Sequence, residues 1–107
     1  MAIEPIAAEV PPPARALDGI WRVARTGGLL PPLVGVRKRI ANGRGVTTVG
    51  RLPGARFTVD GLRLIYDAPF RGFVDVLTPD ADGFSGRALF RGREYGRFVL
   101  RPAARAA

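Results

Sequence analysis

The 107-residue chain has no cysteine and no histidine, and Lys38 is its only lysine. Without cysteine there are no disulfides, no thiolate metal sites and no thiol nucleophiles. Without histidine the chain lacks the commonest general base, the commonest zinc ligand and the usual switch near neutral pH. Hydrolases built on a Ser-His or Cys-His pair are excluded, as are metalloenzymes with His or Cys ligands. No metal and no cofactor is expected. A phosphate-binding glycine motif is also missing, because Gly43-Arg44-Gly45 falls in a hairpin turn and not ahead of a helix. No segment approaches the ~20 apolar residues that a spanning helix requires, so no membrane span is expected. The first residues do not read as a signal peptide: Glu4, Pro5, Glu9 and Pro11-Pro12-Pro13 interrupt the apolar stretch. A cytoplasmic location is the expectation. These absences turn attention from reactive side chains to shape.

What is present is a basic chain with a normal apolar content. Hydrophobic residues make up 47%, enough for one packed domain. The formal charge is +8, carried by 17 basic residues of which all but Lys38 are Arg. Arg, Ala, Gly and Pro all have GC-rich codons, and the Arg residues are dispersed; the densest run is Arg37-Lys38-Arg39. Phe70-Arg71-Gly72-Phe73-Val74 resembles the start of the RNA-recognition signature Arg-Gly-Phe-Gly-Phe-Val. Val74 and Asp75 then break the match, and that fold needs two helices for which the chain has no room. The pattern weighs against nucleic acid.

Turn signals recur about every ten residues, with alternating apolar residues between them. The pattern predicts eight short strands: 20–25, 33–40, 46–52, 57–59, 62–66, 70–77, 84–90 and 95–101. Asn42-Gly43, Pro53-Gly54, Asp60-Gly61, Pro79 to Gly83 and Gly92 mark the turns between them. A short turn or helix is expected at Ala14 to Asp18, and no long helix anywhere. The fold class is all-β, an antiparallel up-and-down eight-stranded barrel over 14–102, with a Pro-rich tail over 1–13 and a second tail over 103–107. Closure removes the unpaired edges that eight short strands would otherwise expose. The expected inward set is Trp21, Val34, Val36, Phe57, Val59, Leu64, Tyr66, Phe73 or Val74, Phe84, Phe90, Phe98 and Leu100.

Asp18-Gly19-Ile20-Trp21 places Gly-x-Trp at the start of the first strand, ahead of this meander. The combination resembles the lipocalin and wider calycin group. The resemblance covers about 17–101 and implies a Trp21 that plugs the closed barrel end, with Arg97 or Arg101 packed across it. Gly19, Trp21, Arg97 and Arg101 would then be structural residues of barrel closure. The chain is shorter than lipocalins, which implies a shallow cavity, and the other family motifs are absent.

An eight-stranded barrel is either filled by side chains or holds one small ligand. The ligand-binding candidates are Val36, Arg39, Phe57, Leu64, Tyr66, Phe73, Phe90 and Tyr95, with Asp75 as a further polar orienting group. The loop around Leu29, Leu30, Pro31 and Pro32 is apolar where surface loops are usually polar, which fits a lid over a pocket, a partner contact or plain packing. Three functions follow. The first is a binding barrel for a small apolar or amphiphilic ligand, with Arg favouring an anionic head. The second is a calycin-like cyclase or isomerase that acts by preorganising its substrate, with Tyr66, Asp75 and Glu94 the only groups able to handle a proton. The third is a basic module for a polyanion. A homodimer is compatible with each.

Overall fold

The computed structural model describes residues 16–30 and 33–103. The expected tail at 1–13, the first residues of the expected turn, Pro31, Pro32 and the last four residues lie outside that range. The described chain forms eight antiparallel strands: β1 Gly19–Gly28, β2 Val36–Ala41, β3 Arg44–Val49, β4 Leu52–Asp60, β5 Arg63–Tyr66, β6 Phe73–Asp80, β7 Gly83–Phe90 and β8 Arg93–Pro102. Each strand pairs with its neighbours in sequence, and β1 pairs with β8 to close the barrel. The all-β, eight-stranded, closed meander expected from turn spacing is therefore the fold, and it is consistent with a calycin-like architecture.

Several boundaries differ from the expectation, for steric reasons. Pro53-Gly54 does not end β3; both residues lie in β4, and the turn is Gly50-Arg51. Gly54 is needed because a side chain there would collide with the Thr47 carbonyl where the β3–β4 ladder shifts register. Gly27 and Gly28 extend β1 and do not begin a loop, because Gly28 lies against the Gly96 backbone of β8. Pro79 and Asp80 belong to β6, leaving Ala81-Asp82 as the two-residue turn. Residues 33–35 and 70–72 form turns ahead of β2 and β6, closed by bonds from Val36 N–H to the Leu33 carbonyl and from Phe73 N–H to the Phe70 carbonyl.

The barrel is filled at one end only. From the closed end upward, Trp21, Phe84, Leu100, Ile40, Leu64, Leu77, Phe57 and Phe98 form a continuous buried core. Phe57, Leu64 and Leu100 lose all or nearly all solvent contact, and each such burial stabilises the fold by about 1.5–3 kcal/mol. Room for two of the rings comes from glycine. A side chain at Gly45 would strike the Phe57 ring, and one at Gly86 would strike Phe98. Trp21 donates from Nε1 to the Leu17 carbonyl at 2.9 Å, and Phe84 meets its ring edge-on at 5.4 Å.

Candidate functional site

Inward positions along the strands alternate, and following them toward the open end shows a change in chemistry. On β2 the order from the open end is Val36, Lys38, Ile40; on β6 it is Phe73, Asp75, Leu77. Lys38 and Asp75 thus sit one layer above the packed core, joined by Thr47 of β3 and Tyr66 of β5. Lys38 and Asp75 are the only polar or charged residues buried among those described.

Lys38 Nζ donates to Thr47 Oγ1 at 2.8 Å and to the Tyr66 hydroxyl at 2.6 Å, and lies 3.4 Å from Asp75 Oδ2. The Tyr66 hydroxyl donates in turn to Asp75 Oδ2 at 2.6 Å. The three ammonium hydrogens therefore have three oxygen partners. The rings of Tyr66, Phe57 and Phe98 surround the charge at 5.2, 5.3 and 5.9 Å from their centres. Burial pushes the Lys38 ammonium below its ordinary value, and the Asp75 carboxylate opposes that shift without cancelling it. Burial, reinforced by the Asp75 charge, holds the Tyr66 phenol well above its ordinary value, so Tyr66 stays a neutral donor.

The choice of lysine has a physical reason. A compact ammonium with three freely oriented donors fits a tripod of Thr47, Tyr66 and Asp75, whereas a guanidinium is planar and broader. Among the described residues Lys38 is the one buried basic side chain.

Above this polar floor lies a cavity of about 520 Å3, open at one end of the barrel. Its walls are Leu30, Leu33, Val34, Val36, Val49, Ala55, Phe70, Phe73 and Tyr95, and its floor presents Thr47, Tyr66 and Asp75. Asp75 Oδ2 is taken by Tyr66 and Lys38, while Oδ1 has no donor among the described residues. The floor therefore offers a free carboxylate oxygen to whatever enters. Tyr95 reaches the cavity through a bulge: Ala88 pairs with Gly96 and Leu89 with Glu94, leaving Tyr95 as the extra residue turned inward. Burial and the Asp75 charge raise its phenol above the ordinary value. Leu30 seats on Gly96, where a side chain would displace it, so part of the expected lid does meet the barrel.

The sequence candidates divide between several places. Val36, Tyr66, Phe73 and Tyr95 line the cavity, while Phe57 and Leu64 lie fully buried beneath its floor. Arg39 is exposed on the outer wall beside Arg44 and Arg56, because its parity on β2 is opposite to that of Lys38. Phe90 stands at the rim, 38% exposed, with its ring 4.6 Å from that of Phe73. Val34, expected inside, stands at the cavity mouth in the turn before β2, 89% exposed. Leu29 is exposed, and Pro31 and Pro32 lie outside the described residues.

Gly19 opens β1 with a positive φ of 135°, and Trp21 plugs the closed end. Neither arginine packs across the tryptophan. Arg97 lies on the outer wall, paired with Glu94 at 2.7 Å, and Arg101 is held by Asp80 at 3.0 Å and by the Leu100 carbonyl at 3.1 Å. The aromatic neighbour of Trp21 is Phe84, in a T-shaped contact at 5.4 Å. Glu94, a proton-handling candidate, is outside the cavity, held by Arg87 and Arg97.

Lys38 and Thr47 were not among the sequence candidates. The signal for Lys38 was available: it falls between Val36 and Ile40 at inward parity, as the single lysine among arginines. Among the described residues no group of three or more Asp or Glu could hold a metal. Comparison with protein-family models, curated proteins and solved structures yields no match to this chain.

Proposed function

We propose that this barrel binds a small apolar or amphiphilic molecule in its open half. The observation that carries the reading is the cavity of about 520 Å3, within the size range of ligand pockets, with apolar walls and polar groups gathered on one side. No arginine lines it among the described residues, so the preference for an anionic head expected from composition has no support. The open floor acceptor is Asp75 Oδ1, and it calls for a ligand whose polar end donates a hydrogen bond, such as a hydroxyl or N–H. A carboxylate head would meet the Asp75 charge. The test is a titration with the neutral dye N-phenyl-1-naphthylamine, followed by displacement with 1-decanol or decanoate. Saturable binding, lost in Ala55→Phe and displaced better by the alcohol, is the expected result. No saturable binding overturns the reading.

A second reading rests on the same floor. The Tyr66–Asp75 contact of 2.6 Å faces an apolar-walled cavity, a placement that also suits proton transfer in an isomerase or cyclase. Conversion of a bound ligand, abolished by Asp75→Asn while binding persists, would favour it over simple binding.

A further inference from the structure

We propose that the open end of the barrel docks on an anionic lipid surface. This goes beyond the ligand reading and does not depend on it. In an up-and-down barrel alternate connections share one end, so β1–β2, β3–β4, β5–β6 and β7–β8 all surround the cavity mouth. Each carries an exposed apolar side chain. Leu29 and Val34 flank the first connection, at 87% and 89% exposed; Leu52, at 70%, follows the second turn; Phe70 and Phe90 mark the third and fourth.

These tips form one surface. Gly50 N–H donates to the Gly35 carbonyl at 3.1 Å, linking the first two connections, and Arg91 N–H donates to the Gly72 carbonyl at 2.8 Å, linking the last two. The Phe70 and Phe90 rings both pack on Phe73, at 6.3 and 4.6 Å.

Charge separates along the barrel axis. Arg51, Arg71 and Arg91 stand exposed at three of the four tips. The acids nearest that end are already engaged, Asp67 by Arg44 at 2.8 Å and Glu94 by Arg87 and Arg97. Asp60, Asp80 and Asp82 lie at the opposite, closed end. Apolar tips ringed by guanidinium groups with no acidic partner among the described residues complement a bilayer interface with negative headgroups. A second copy fits less well, since pairing two such ends would set arginine against arginine. Nucleic acid fits less well because aliphatic side chains, and not stacking rings, are the most exposed. The outer wall does not suit lipid: Arg22, Arg37, Arg39, Arg63, Arg87 and Arg97 are exposed on it, so the contact is with the surface of a bilayer.

The test is flotation of the full chain with vesicles of phosphatidylcholine alone or mixed with phosphatidylglycerol. Binding is expected to the mixed vesicles only, and added salt should weaken it. Arg51→Glu/Arg71→Glu/Arg91→Glu should reduce it roughly a hundredfold or more. Leu29→Ser/Leu52→Ser should weaken the binding that survives raised salt; both sites are too exposed for the change to unfold the barrel, and Trp21 fluorescence checks the fold. The control Arg39→Glu/Arg56→Glu/Arg63→Glu makes the same charge change on the wall and should bind better than the tip variant. Four results would overturn the proposal: no flotation with mixed vesicles at low salt, equal losses in tip and wall variants, a dimer dispersed by Leu52→Ser, or single-stranded RNA bound more tightly than vesicles through the same three arginines.

Discussion

Removing one partner of the Lys38–Asp75 pair should cost a large share of the stability of this barrel, whereas removing both should cost less. At 3.4 Å the ammonium and carboxylate attract by about 5 kcal/mol for an effective dielectric near 20. Most of that attraction offsets the cost of taking both charges out of water. In Asp75→Ala the ammonium stays buried without its counter-charge, and Tyr66 loses its acceptor. The expected loss is about 3–5 kcal/mol, against roughly 5–15 kcal/mol for a domain of this size. Lys38→Met/Asp75→Leu removes both charges but leaves the Tyr66 hydroxyl with Thr47 alone, and should cost about 1–3 kcal/mol, less than Asp75→Ala. Urea denaturation followed by Trp21 emission measures the parent, Lys38→Met, Asp75→Leu and the double variant, the four corners of the cycle. Purely additive costs would refute the argument, as would an Asp75→Ala loss below about 1 kcal/mol.

The pair also predicts a pH dependence. A lysine held below its ordinary value binds its proton less tightly folded than unfolded. Stability should therefore rise with pH between the folded Lys38 value and the unfolded one near 10.4, and Lys38→Met should flatten that rise in denaturation curves taken across the alkaline range. On the acid side, the hydrogen bonds from Arg97 and Arg87 hold Glu94 down to about 2, so its contribution is complete above the ordinary glutamate value and fades as pH falls toward 2; Glu94→Gln should reduce the slope of stability against pH in that window. Gly86→Ala drives a methyl group into the Phe98 ring and should cost about 1–3 kcal/mol by thermal or urea melting, with an unchanged melting curve counting against the packing account. Trp21→Phe removes the bond to the Leu17 carbonyl and should cost about 0.5–1.5 kcal/mol beyond the loss of ring area, which a parallel urea series with Phe84→Leu, followed by circular dichroism, would isolate.

Much of this barrel is local in origin. Turn residues every ten positions set the number of strands, and alternation between them set which face is apolar, because strand side chains repeat every two residues. That is why eight strands, their order and an interior containing Val36, Phe57, Leu64, Tyr66, Phe73, Phe98 and Leu100 were legible in advance. Lys38 was legible by the same parity rule, although its charge argued for the outside. Tertiary structure decided what no periodicity carries. A bulge opposite Leu89 turned Tyr95 inward, and close backbone approach put Gly28 and Gly54 inside strands. Trp21 packs on Phe84, while Arg97 and Arg101 are held by Glu94 and Asp80. The division of the interior into a solid half, a polar floor and an open half depends on how inward residues from eight strands align in height. That height is fixed by the stagger of the closed barrel, which exists only once β1 has met β8.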